Sequence, residues 1–214
     1  MRRLIAALAL AAGFGSPANA EVVQTGESSF VLRHVATVAA SQEDVWKMLL
    51  RPADWWSSEH TFSGDAVNLW LDGQATGCFC EKLPRPADLA EGLRAGSVEH
   101  LRVLYVEPPR VLRLTGGLGP LQAEPVNAVM TLSLRSAGGR TRIAMEYVVS
   151  GLVRRKGEDM APLVDRVLGE QVGRLAGKFP AAEAAAAEEP AEAPNDAPAE
   201  TPVDEQPVAA SEAG

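Results

Sequence analysis

Positive charge is in short supply in this chain: 20 Lys and Arg stand against 28 Asp and Glu, a formal net charge of -8 over 214 residues. A nucleic-acid partner requires a clustered basic surface, so none is expected. Two cysteines are too few for a disulfide-built scaffold. Catalytic signatures are missing as well. There is no serine nucleophile elbow, phosphate-cradling loop, dinucleotide fingerprint or metalloprotease helix motif. The stretch TGGLGP at Thr115 to Pro120 lacks the Gly-Lys-Ser/Thr of a phosphate loop and reads as a wide turn between strands. Beyond the first twenty residues no run is long and apolar enough for a transmembrane helix.

What is present divides the chain into three parts. Residues 1–20 read as a cleaved secretory signal. Arg2 and Arg3 are its basic start, LIAALALAAGFG its short apolar run, and Ala18-Asn19-Ala20 its small-x-small cleavage site. The expected location is therefore periplasmic or secreted, with no stable membrane anchor after cleavage. Residues 181–214 are built from Ala, Glu and Pro and contain no aromatic or basic residue. Such a segment buries too little apolar surface to offset its ordering entropy and is expected to be a disordered acidic tail. It holds nine of the 28 acids, leaving 19 against 20 bases in the rest, so the net charge belongs to the tail. Residues 21–180 are one domain's length.

Within that domain Phe30, Leu32, His34, Ala36 and Val38 alternate with Val31, Arg33, Val35 and Thr37, as a strand requires. Ser41 caps a helix with Asp44 three residues on, and Pro52 stops it. Six further strands are expected in AVNLWL, ATGCFCEKL, SVEHLRVLYVE, RVLRLTG, NAVMTLSLRS and TRIAMEYVVSG, separated by Asp72-Gly73, Pro108-Pro109 and the AGG before Arg140. A helix from about Glu158 to Phe179 closes the domain, its stripe running through Met160, Val164, Val167, Leu168, Val172, Leu175 and Phe179. The pattern predicts an α+β fold, a curved antiparallel sheet of about six to seven strands wrapped around that helix.

The chain from about Phe30 to Phe179 resembles the START-like, or SRPBCC, superfamily. This is the helix-grip fold of the birch-pollen allergens, the polyketide cyclase/dehydrase-like proteins and the co-chaperones that activate the Hsp90 ATPase. The residues that carry the likeness are the strand-then-helix opening, WW…H.FSG at Trp55 to Gly64, GCFCE at Gly77 to Glu81, VEHLRV at Val98 to Val103, LTGGLGPLQ at Leu114 to Gln122, and the closing helix. Exported bacterial members without a defined reaction are what it resembles most. The resemblance implies a cavity between sheet and closing helix that takes an apolar or amphipathic small molecule. Fold alone does not name the ligand.

Periplasmic binding of a hydrophobic or aromatic molecule, lipid-like or polyketide-like, without catalysis or cofactor, is accordingly the leading expectation. Its candidate ligand-binding residues are His34, Trp70, Cys80, His100, Tyr105, Met130, Met145 and Tyr147. An enzyme of the cyclase or dehydratase kind is the alternative, with His34 or His100 moving a proton and Glu81 or Glu99 orienting it. A further alternative is a protein-interaction module like the Hsp90 activators. His34 shares the expected inward face of its strand, where it is either a ligand anchor or a core histidine bonded to a backbone carbonyl. Both faces of the strand holding Glu99, His100 and Arg102 are mixed, so periodicity does not say which looks inward. Trp55, Trp56 and Trp70 read as packing of the short helical segment on the sheet edge, or as a cavity mouth.

Cys78 and Cys80 have three readings. In a regular strand their Cβ atoms lie about 6.6 Å apart, twice the strand rise, whereas a disulfide wants about 3.8 Å. Two half-buried thiols are therefore expected, unless a bulge or turn permits a local disulfide or each pairs with another protein. A zinc set of His60, Cys78, Cys80 and His100 has suitable ligand types but not the usual cysteine spacing. Finally, Gly169, Gly173 and Gly177 recur every four residues almost opposite the apolar stripe of the closing helix. That face is expected either to dock a partner or second copy, or to be an unoptimised exposed surface.

Overall fold

The computed structural model describes residues 19–151 and 154–182. The expected signal segment, apart from Asn19 and Ala20, and the acidic tail from residue 183 on lie outside the described residues.

The alternating segment forms strand β2 (Ser29–Val38), whose burial alternates residue by residue along its whole length. Helix α1 (Gln42–Leu49) follows. Its N-cap is Ser41, whose hydroxyl accepts from the Asp44 N–H, and it ends just before Pro52. Three single-turn 3-10 helices (Pro52–Asp54, Ser58–His60, Ala66–Asn68) lead into β3 (Leu69–Leu71) and β4 (Cys78–Lys82). Then come β5 (Ser97–Glu107), β6 (Val111–Thr115), another 3-10 turn (Gly119–Ala123), β7 (Val126–Ala137), β8 (Arg140–Gly151) and α2 (Gly157–Ala176). One more strand, β1 (Asn19–Gly26), precedes them and pairs with β2.

All eight strands form one antiparallel sheet in the order β1-β2-β8-β7-β6-β5-β4-β3. With the long closing helix against it, this is the helix-grip architecture. The sheet has one strand more than the six to seven expected: β1, which starts two residues before the expected cleavage site and so overlaps the signal pattern. The expected AVNLWL strand is shorter than its pattern suggests: Asp65 caps a 3-10 turn over Ala66–Asn68 and only Leu69–Leu71 pair with β4.

Helix α2 buries Met160, Ala161, Val164, Leu168, Val172 and Leu175. At about 1.5–3 kcal/mol for each large apolar side chain, this face outweighs the helix-weakening glycines. The start of α2 is tied to the β1–β2 turn. The Gly157 N–H donates to the Glu27 carbonyl at 2.9 Å, and a Cβ at Gly157 would stand 2.4 Å from the Gly26 carbonyl oxygen. Only glycine allows the helix to start this close to the sheet. Along the sheet α2 packs chiefly on β1 and β2, at one edge. The half carrying β4 and β5 is left to be covered by the loops after α1 and β6.

The glycine ridge is shorter than its sequence pattern. Gly177 caps the helix rather than lying within it, with its N–H bonded to the Gly173 carbonyl. A Cβ at Gly173 would meet nothing within 4 Å. Gly173→Ala is expected to raise unfolding free energy by about 0.5–1 kcal/mol with no change in elution volume. A change in assembly state would instead mark this face as a docking surface.

Candidate functional site

Strand β5 does not alternate. Phe79 of β4 faces Leu101 of β5, but the next residue, Cys80, faces Glu99, so His100 is an extra residue opposite the Phe79–Cys80 step. A bulge of this kind re-aims side chains. Here it turns His100 and Leu101 inward together, while Glu99 stays at the surface in an ion pair with Arg102. A second register shift between Val103 and Tyr105 leaves Leu104 and Tyr105 both outside.

The inward His100 meets Glu81, which is 0 % exposed. The imidazole Nε2 is 2.9 Å from Glu81 Oε2, and the same carboxylate accepts the backbone N–H groups of Phe62 and Ser63. The His100 ring stacks on Phe79 with centroids 4.9 Å apart. Burial alone raises the Glu81 carboxyl, but hydrogen bonds from Ser63, Phe62 and His100 prevail and hold it below the ordinary carboxylate value. Burial pushes His100 below the ordinary histidine value, opposed by Glu81. The pair is thus a buried carboxylate and a neutral imidazole. Because the carboxylate accepts at Nε2, Nε2 carries the proton and Nδ1 is the free acceptor.

His100 lines a cleft of about 670 Å³ between α2 and the two loops. The α2 wall is Met160, Leu163, Val164, Val167 and Leu168; the facing wall includes Trp56, Phe62, Leu118 and Pro120. Polar side chains on the lining are His60, Thr61, His100 and Gln122, with no Lys or Arg among the described residues. His60 Nε2 lies 3.0 Å from Glu170 Oε2 of α2. Burial raises the Glu170 carboxyl, yet its hydrogen bonds to Ser57 and His60 leave it below its ordinary value.

The loop after β6 is pinned from below by Tyr147 of β8, whose hydroxyl donates to the Gly116 carbonyl at 2.9 Å and accepts the Leu118 N–H at 3.1 Å. Gly116 has φ of 135°, and a Cβ there would press on the His100 carbonyl oxygen at 3.1 Å, so the turn closes over the β5 bulge only as glycine. Burial pushes the Tyr147 hydroxyl up to about 12, so it stays a neutral donor. Tyr147→Phe leaves a buried N–H and carbonyl without partners. The expected loss is about 2–4 kcal/mol of stability, read as a lower urea midpoint at unchanged slope, with weaker ligand binding because Leu118 is cleft wall.

The other sequence candidates lie elsewhere. His34 faces inward but under α2, its Nε2 3.2 Å from Asp165 Oδ1. The approach is close without being aligned: both ring nitrogens and Asp165 Oδ1 lack a hydrogen-bond partner. Burial lowers the His34 pKa against the pull of Asp165. Met130 and Met145 line a separate apolar cavity of about 30 Å³ on the sheet, with Trp55, Trp56 and Phe79. Trp70 is 37 % exposed on edge strand β3 and Tyr105 46 % exposed beyond the second bulge, so neither faces the cleft. Cys78 and Cys80 are joined in a disulfide with Cα atoms 5.4 Å apart, closer than regular strand geometry allows. Two thiols, and a zinc set using them, are thereby replaced, and no metal-ligating cluster occurs among the described residues. Of the expected residues the cleft brings together His60, His100 and, behind them, Glu81.

No family model matches the chain, and neither does any curated protein. Among solved structures, CalU16 from Micromonospora echinospora is 15% identical, over 75% of this chain and 83% of its own, with a TM-score of 0.48. Mll3558 from Rhizobium loti is 14% identical, over 71% of this chain and 97% of its own, with a TM-score of 0.48. Ms6760 from Mycobacterium smegmatis is 15% identical, over 77% of this chain and 94% of its own, with a TM-score of 0.44.

Proposed function

We propose that this chain binds a hydrophobic or aromatic small molecule in the cleft between α2 and the loops after α1 and β6. The observation that carries the reading is the cleft itself: about 670 Å³ lined mainly by aliphatic and aromatic side chains, with a few polar groups around one histidine. That is the size and chemistry of a small-molecule site. It favours a ligand inside the grip over a module that docks proteins on its surface. The export signal read in residues 1–20 supports binding outside the cytoplasm, and the Cys78–Cys80 disulfide suits an oxidising compartment.

Native mass spectrometry of the full chain recovered from the periplasm tests both parts. The expected spectrum has an N-terminus at Glu21 and an organic mass that leaves on denaturation. A bare mass, together with unchanged tryptophan emission on titration with naphthalene, would overturn the binding reading.

Acid-base catalysis is a second reading, favoured by the 2.9 Å contact of His100 with Glu81. A neutral imidazole oriented by a buried carboxylate is equipped to take up a proton in an apolar site. Under this reading His100 is the acid or base and Glu81 the positioning residue. A ligand recovered together with its dehydrated form, and without that form from His100→Asn, is the expected sign of turnover; recovery of one species from both proteins would rule against it.

A further inference from the structure

We propose that the cleft selects molecules presenting a hydroxyl, phenolic or alcoholic, on an apolar body, and disfavours carboxylates and phosphates of the same shape. This rests on the binding reading above and adds what the ligand must carry. The side-chain donors on the lining are engaged within the protein, apart from the second amide N–H of Gln122. Trp56 Nε1–H donates to the His60 carbonyl, Thr61 Oγ1–H to the Ser58 carbonyl and Gln122 Nε2–H to the Glu99 carbonyl. His100 Nε2–H is held by Glu81, and His60 Nε2 by Glu170.

An acceptor is left over. Among the described residues the His100 ring makes no other hydrogen bond, and its Nδ1 is not one of the buried unpartnered atoms, in contrast to both ring nitrogens of His34. Nδ1 is therefore open to the cleft that the ring lines. Charge points the same way. A carboxylate or phosphate would meet no Lys or Arg on the lining and would sit on the far side of one imidazole from the buried Glu81 anion. In a poorly solvated site that repulsion is weakly screened. A hydroxyl donates to Nδ1, and Glu81 strengthens that bond by polarising the ring from behind.

The test is a tryptophan-fluorescence titration of the full chain at neutral pH with naphthalene, naphthol and naphthoate, since Trp56 is part of the wall. Naphthol is expected to bind about tenfold more tightly than naphthalene, and naphthoate more weakly than either. His100→Phe is expected to bind naphthol no more tightly than naphthalene. Equal binding of naphthol and naphthalene, or tightest binding of naphthoate, overturns the inference while leaving the binding reading intact. Failure of all three to bind removes the binding reading and the inference with it. Nitrogen NMR of the unmodified protein checks the premise without a variant: the His100 proton is expected on Nε2, and a proton on Nδ1 overturns the proposal.

Discussion

Replacing Glu81 by alanine is expected to cost about 3–5 kcal/mol of folding stability, read as a fall in urea midpoint at unchanged slope. The size follows from what the carboxylate does. It is fully buried and accepts from Phe62 N–H, Ser63 N–H and His100 Nε2–H, so its removal strands three donors in a low-dielectric interior. Glu81→Gln keeps the shape but turns an amide N–H toward those donors, and is expected to recover only part of the loss. A cost below about 1 kcal/mol for Glu81→Ala would mean the carboxylate is solvated rather than held, since surface pairs are worth that little.

The same groups set the response to acid. His34 and His100 both have folded-state pKa values below the ordinary histidine value, burial being the main cause for each. Below about pH 6.5 the unfolded chain takes up protons that these two rings refuse, so unfolding free energy falls as pH drops from there. Glu81, held low by its hydrogen bonds, keeps its contribution above the unfolded carboxylate value and loses it as pH falls through its own folded value. Two successive losses are expected as the urea midpoint is followed downward from neutral pH. Glu81→Ala should shrink the lower one without abolishing it, since Glu170 is also held below its ordinary value.

The elements were legible where one periodicity runs uninterrupted. The β2 alternation from Phe30 to Val38, the Ser41 cap and the apolar stripe of α2 from Met160 to Leu175 appear in the structure as their spacing predicts, while Phe179 falls beyond the end of the helix at Ala176. The site was legible only in part, because it is built where periodicity fails. His100 and Glu99 are neighbours in sequence, and a strict period of two cannot say which faces inward; the bulge turns His100 in beside Leu101. The second bulge displaced Tyr105 in the opposite sense. Glu81 carried a readable signal, an acid two residues from Phe79 and therefore on the same inward face of β4. Its partners, the Phe62 and Ser63 N–H groups, are backbone donors that no side-chain pattern encodes. β1 was hidden because its first residues overlap the small-residue cleavage pattern of the expected signal segment.

Trp56 joins these parts, and its replacement by alanine is expected to have the other large effect. The ring packs on Phe79 with centroids 5.0 Å apart and on Trp55 at 5.5 Å, and its Nε1–H holds the His60 carbonyl at 3.0 Å. Loss of a buried tryptophan costs about 3–5 kcal/mol. The functional consequence is more specific, because Trp56 belongs both to the cleft and to the small cavity over Met130 and Met145. Without the ring the two spaces join, and the residues that were sealed core become cleft floor. Trp56→Ala should therefore bind naphthalene more weakly but accept longer apolar molecules that the unmodified protein rejects, measured by calorimetry below the lowered unfolding temperature. The hydroxyl preference should weaken too, since the His60 carbonyl loses the bond that steadies the loop whose Phe62 N–H holds Glu81. If affinity fell equally for short and long ligands, Trp56 would be a contact surface and not a partition between the two spaces.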